Sequence, residues 1–561
     1  MNALIRLRNT RQLFAIALAL FALAQLTQAV VPPPDGGYPN FTTAEGTNAL
    51  KNLTTGSGNT GIGWVSLFSA TIASFNTGVG AGTLALNNAN SNTAVGTAAL
   101  LLNTIGSSNT AVGVTALLNN DGTGNTAIGA SALSSNTTGS GNVAVGSQAL
   151  QNNTTGVDNT ATGFAALMSN TGVDNTANGS SALQSNTIGE ANTGIGSQAL
   201  SFNTEGSGNT ATGASALLAN TDGNSNTAVG NEALFANTTG SQNTAMGSGA
   251  LLSSTTGDRN TAIGASALLN DTADDNTAVG FRALFTNGAG TQNTAVGSNA
   301  LEQNTFGFSN NAVGDVALAS NTTGGHNNAF GAFALNTNTN GSGNSAFGNG
   351  ALLLSTGLNN TAIGISAGSD LTAGNGNVYI GAAVSGVANE SFHTYIKNIE
   401  TTNVSGGGTD TVTINLSTGL LGHLTSSRRY KEDIKPIDKA SEALYRLKPV
   451  SYRYKKEIDS TQSSAFGLIA EEVEEVDPAL VARNSEGRAE AVHYEMINAM
   501  LLNEFLKEHG MVKDQGASIE GLKKEVANLI GVVKEQAAQI HKLNARVQNE
   551  NAASQVVLNN P

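Results

Sequence analysis

Asn92-Thr93-Ala94-Val95-Gly96-Thr97-Ala98-Ala99-Leu100-Leu101-Leu102-Asn103-Thr104-Ile105-Gly106-Ser107-Ser108 is followed at once by Asn109-Thr110-Ala111-Val112-Gly113, the same run begun again. The first Asn of this unit recurs at Asn59, Asn76, Asn92, Asn109, Asn125, Asn142, Asn159, Asn175, Asn192 and Asn209, then at Asn226, Asn243, Asn260, Asn276, Asn293, Asn310, Asn327, Asn344, Asn360 and Asn377. These twenty copies fall 16 or 17 residues apart. A period so short and regular predicts a solenoid in which each copy is one coil of a stack.

Within the unit, Thr-Ala-Val or Thr-Ala-Ile and the later Ala-Leu pair read as two short strands. Gly and Asn between them supply the positive φ of tight corners. Stacking places like on like, so the Asn rows are expected to form amide ladders along the axis. At about 4.8 Å per coil, twenty coils make a rod of roughly 95 Å. Each coil offers only a few apolar residues, mostly Ala, Val and Leu. A single stack therefore has a thin core, and side-by-side association of several chains would remedy it. The fixed apolar position in every period argues against disorder despite the abundance of Gly, Asn, Thr and Ser. No Gly-Gly-x-Gly-x-Asp series is present, which argues against a calcium-binding β-roll.

The array, residues 59–385, resembles the head of trimeric autotransporter adhesins, whose Asn-x-x-x-Gly repeats wind as a parallel β-roll. The resemblance implies a homotrimeric stalk or head that contacts a cell-surface or polysaccharide ligand. Those adhesins end in a membrane β-barrel, and no alternating-strand segment of that kind closes this chain.

Outside the array the vocabulary changes. Residues 30–385 carry 3 basic and 16 acidic side chains, whereas residues 386–561 carry 20 and 24. The first region is polar and almost uncharged, and the second has the charge density of an ordinary domain. Neither is basic enough to hold nucleic acid. Zero cysteines exclude disulfides and thiolate sites. His423 and the other five histidines lack metal-ligand spacing, so no metal or cofactor is expected.

At the N-terminus, Arg6, Arg8 and Arg11 precede an apolar run from Leu13 to Ala24, and Thr27-Gln28-Ala29 supplies small residues. This pattern predicts a secretory signal peptide over residues 1–29, removed after Ala29, and hence a secreted or cell-surface protein of a bacterium. The run is too short to anchor: twelve residues span about 18 Å as a helix, against a hydrocarbon core of roughly 30 Å. No transmembrane segment is expected after its removal. Residues 30–58 read as a linker, and residues 386–424 as a connector with strand-like runs such as Thr411-Val412-Thr413-Ile414.

From Thr425 a small α+β domain is expected to about residue 510. A helix capped near Asp438 carries Ala440, Ala443, Leu444 and Leu447 at helical spacing. Pro449 to Tyr454 alternates as a strand, and a helix from about Tyr494 to Lys507 carries Ile497, Met500, Leu501 and Phe505 toward a core. Over residues 511–550, Ile519, Val526, Val533, Ile540 and Val547 fall at heptad a positions, with Leu522, Leu529, Gln536 and Leu543 at d, which predicts a coiled coil. Branched residues at a with Leu at d favour two strands, in tension with a trimer. Residues 551–561 form a tail.

The segment from Ser426 to about His509 resembles the intramolecular chaperone domain of phage tailspikes and fibres, the peptidase S74 family. That family's opening motif is Ser-Asp-x-Arg-x-Lys or a close variant. Ser426, Ser427, Arg428, Arg429, Tyr430 and Lys431 match it, with Ser427 in the Asp position. The resemblance implies a domain that trimerises a β-fibre and then cuts itself free, a single-turnover serine peptidase with no external substrate. Carried over, Ser426 is the nucleophile, Lys431 its base, and Thr425–Ser426 the bond cut. A lysine base must be neutral, and the like charges of Arg428 and Arg429 favour that state. Residues five apart point to opposite faces of a strand, so the dyad needs a sharp turn or partners from neighbouring chains.

Two functions follow: a structural fibre whose chaperone leaves after assembly, or an uncleaved adhesin with that domain as a permanent foot. A glycan-cutting spike would need paired carboxylates, and residues such as Asp121, Asp158 and Glu190 stand without a recurring partner.

Overall fold

The computed structural model describes residues 39–399, 412–416, 418, 420–423 and 425–556. The signal peptide and the cleavage position after Ala29 lie outside the described residues, as does much of the connector and the end of the tail. The chain divides into two compact units, residues 1–402 and 403–561.

The first unit is one parallel sheet of twenty-two strands, each three residues long, from Thr43–Glu45 to Thr394–Ile396. Every strand pairs with the next coil's strand without a register slip, so Thr93, Ala94 and Val95 lie opposite Thr110, Ala111 and Val112. The sheet runs one strand past each end of the counted repeats. Between the two end strands, the middle residue of each strand, usually Ala, points inward and is buried, while the flanking Thr and Val or Ile face outward. Ala94, Ala99 and Leu100, and their equivalents along the array, are fully buried.

One expectation is corrected here. The Ala-Leu segment is not a second strand but part of a run of turns, and its Leu sits in left-handed backbone, as at Leu100 (φ 50°) and Leu117 (φ 50°). Left-handed backbone costs a β-carbon residue about 1–2 kcal/mol, and burying a Leu side chain returns about 1.5–3 kcal/mol. The burial wins, because that conformation turns the Leu into the core. The Gly that ends each strand has no such choice. Gly129 has φ +140°, and a β-carbon there would lie 2.4 Å from the Gly146 carbonyl oxygen.

The amide ladders are present, and there are two. In the first, the Asn109 N–H donates to Asn92 Oδ1 (2.9 Å) while Asn109 Nδ2 donates to the Gly122 carbonyl (2.9 Å). In the second, Asn103 Nδ2 donates to Asn87 Oδ1 (2.7 Å) and Asn120 Nδ2 to Asn103 Oδ1 (3.1 Å). Apart from Asn237, whose Oδ1 has no partner among the described residues, the buried ladder Asn side chains are bonded and escape the roughly 1–3 kcal/mol penalty of an unmet buried polar group. At the C-terminal end the inward Ala is replaced by Tyr379 and Tyr395, whose rings stack at 5.6 Å. Both hydroxyls donate to Glu390, at 2.7 and 2.8 Å, so the core ends in a polar lid.

The second unit contains three antiparallel pairs: Val412–Ile414 with Leu421–His423, Val450–Arg453 with Ser464–Gly467, and Val481–Arg483 with Ala489–Val492. A helix spans Ala470–Val476, and a second helix runs unbroken for 63 residues, Tyr494–Val556. Its buried apolar core is small: Val473, Leu480, Val481 and Met500, with Ile437, Leu444 and Ile497 among those packed against it.

Candidate cleavage segment

Thr425, Ser426 and Lys431 are all exposed. Between Ser426 and Lys431 the chain makes one tight 3-10 turn, Arg428–Tyr430, closed by the Tyr430 N–H on the Ser427 carbonyl (3.0 Å) and the Lys431 N–H on the Arg428 carbonyl (3.2 Å). Ser427 caps it: its Oγ accepts from the Arg429 N–H (3.4 Å) and from Arg429 Nε (3.2 Å). Ser and Asp are comparably good caps, so Ser427 keeps the local role that an Asp would play in this motif. Among the described residues, neither the Ser426 hydroxyl nor the Lys431 ammonium has a hydrogen-bond partner. The turn that a Ser–Lys pair requires is thus in place, while the two side chains are not joined within one chain.

Behind this segment, the 3-10 helix Asp438–Arg446 is pinned to the long helix by a polar cluster. Ser441 Oγ donates to Glu504 Oε1 (2.5 Å), Tyr445 donates to Glu504 Oε2 (2.9 Å), and Lys507 Nζ donates to Glu504 Oε1 (2.6 Å). Lys507, then Ser441, hold the Glu504 carboxyl down to about 2, with the Tyr445 hydroxyl adding to the pull. Asp438 is not the side-chain cap expected. It takes φ +47° and offers its carbonyl to Asn503 Nδ2 (3.1 Å) and Lys507 Nζ (2.8 Å). The cluster joins residues 59 to 69 positions apart, and no local pattern announced it.

The long helix also departs from expectation. Ile497 and Met500 reach the core, but Leu501 (59 % exposed) and Phe505 (64 % exposed) do not. They line an open groove of about 640 Å³ with Leu444, Tyr445 and Leu502, which no other element among the described residues covers. Further along, the a and d residues Ile519, Leu522, Val526 and Leu529 are all more than half exposed.

The sequence profile of the family described as chaperone of endosialidase, Peptidase S74, matches residues 426–482. This stretch of the chain is similar to the chaperone-of-endosialidase family. It begins at Ser426, covers the capped turn and the 3-10 helix, and ends in the strand Val481–Arg483. No curated protein and no solved structure matches the chain. A long parallel β-solenoid followed by this segment fits a tail-fibre or adhesin-like protein. No helix among the described residues is long and apolar enough to cross a membrane.

Proposed function

We propose that this is an exported fibre or adhesin-like protein whose chaperone segment assembles three chains and then releases itself before Ser426. The observation that carries the reading is that both units leave long apolar stripes uncovered. In the array, the third strand position is apolar in most coils and more than one-third exposed, as at Ile62, Val95, Ile128, Ile263, Phe347 and Ile363. In the C-terminal helix the a and d row is exposed in the same way. Apolar stripes of this length are unusual on an isolated soluble chain, and parallel copies in register would bury both. Parallel sheets register slowly, so a domain that first gathers the chains solves a kinetic problem.

In the proposed cut, Ser426 Oγ attacks the Thr425 carbonyl carbon, and Lys431 Nζ takes the hydroxyl proton and passes it to the Ser426 nitrogen. The Thr425–Ser426 amide becomes an ester on Ser426 Oγ, and water hydrolyses it to a Thr425 carboxylate. Because the two side chains do not meet in a single chain, the reading makes assembly the step that brings a base to Ser426. Intact mass of the expressed protein beside Ser426→Ala and Lys431→Ala tests this. A wild-type fragment beginning at Ser426, missing in both variants, is expected. One uncut species in all three favours the uncleaved adhesin, with the C-terminal unit as a permanent foot.

A further inference from the structure

We infer that the step from Ser254 to Asp271 is a proton-responsive joint in the rod, holding one water molecule and one proton where the second amide ladder is broken. The inference does not depend on the fibre reading. Along this ladder each rung is normally Asn, but the rungs after Asn237 are Ser254 and then Asp271, before Asn287 restores the pattern. All four side chains are fully buried. Among the described residues, Asn237 Oδ1, Ser254 Oγ and Asp271 Oδ2 have no hydrogen-bond partner, and they lie on three consecutive rungs.

The cause is geometric. Elsewhere each rung's Nδ2 donates to the Oδ1 of the rung before it, as Asn237 does to Asn220 (2.7 Å). Ser254 is two heavy atoms shorter and leaves Asn237 Oδ1 without its donor. Asp271 puts an oxygen where an amide nitrogen would point toward Ser254. The other Ser rung is different: near Ser355, Asn338 Oδ1 accepts from the Gly341 N–H (3.0 Å) and Ser355 Oγ from the Gly357 N–H (3.4 Å). Among the described residues, the Ser254–Asp271 step is where consecutive rungs carry oxygens without partners.

Two missing heavy atoms make about the room one water needs, and two to four polar partners are usual for a buried water. The water donates to Asn237 Oδ1 and accepts from the Ser254 hydroxyl, and Ser254 Oγ in turn accepts the proton on Asp271 Oδ2. Asp271 Oδ1 is already supplied, by Asn287 Nδ2 (2.7 Å) and more distantly by the Ala273 N–H (3.3 Å) and Asn276 Nδ2 (3.4 Å). Burial pushes the Asp271 carboxyl up to about 7, against the pull of Asn287, Ala273 and Asn276. The charged groups on the surrounding coils are Glu232, Asp258, Arg259, Asp274, Asp275 and Arg282. Arg259 is committed to Asp275 (2.6 Å) and Asp274 (3.6 Å), and Arg282 to Glu302 (2.7 Å), so neither cation neutralises Asp271. An open coil loses the Asp271 proton near pH 4 while the closed coil keeps it to about 7. Opening therefore becomes easier as pH rises through that window, by up to about tenfold per pH unit, and levels above it.

Amide hydrogen exchange of the full chain, read by peptide and corrected for intrinsic rates, tests the joint between pH 5 and 8. Expected is falling protection over residues 254–287 with rising pH, no such trend over residues 338–371, and loss of the trend in Asp271→Asn. A flat wild-type profile, or a trend that survives Asp271→Asn, overturns the proton. Ser254→Asn, which replaces the water with an amide, is expected to raise protection at every pH. Lower protection overturns the water.

Discussion

The array and the C-terminal unit solve the burial problem in opposite ways. In the array inward residues find their partners one coil away, except at the Ser254–Asp271 step, so Ala and Leu are buried and two amide ladders close most of the polar interior within one chain. In the C-terminal unit four apolar residues are buried, and the longest element presents its heptad row to solvent. A repeat can complete itself by stacking on its own copies, but a lone helix cannot. The contrast teaches that the array completes its interior within one chain and leaves only an outer apolar row unmet, whereas the second unit leaves its main apolar row to solvent.

The sharpest way to break the comparison is Gly129→Val. The close approach to Gly146 and the φ of +140° leave no room for a side chain, so a local loss above about 3 kcal/mol is expected. Hydrogen exchange should show deprotection confined to coils around residues 113–146, with the C-terminal unit unchanged. Next in size is Leu200→Ala, which empties a fully buried position and should cost about 2–5 kcal/mol, read the same way. A loss spread over the whole chain in either variant would show that the units are not separable.

The smallest effect sharpens the other side. Ser441→Ala removes one donor to Glu504 and should cost the C-terminal unit about 1 kcal/mol in denaturant unfolding followed by helix signal. Because the Glu504 carboxyl is held below its ordinary value, its contribution is complete above about pH 4.5 and fades as pH falls toward about 2. Glu504→Gln should flatten that acid limb of the C-terminal unit.

How much was legible follows the same division. The solenoid, its period and its Asn ladders were readable because every coil repeats one environment. The left-handed Leu was not, because Ala-Leu carries no local signal for positive φ and only burial selects it. Asp271 was not singled out from the sequence, because its place depends on knowing which residues share a ladder. In the second unit the heptads and the Ser426–Lys431 motif were readable, and the profile match to residues 426–482 agrees with the resemblance. The exposure of Leu501 and Phe505 was not, since the sequence marks an apolar face without saying what covers it.

The central claim is that the exposed stripes are interfaces between copies of this chain. Sedimentation equilibrium of the uncut Ser426→Ala protein at micromolar concentration tests it most directly, beside the same protein carrying Leu522→Asp and Leu529→Asp. The account predicts a three-copy species that the two aspartates reduce to single chains. A single-chain species in both samples would contradict it.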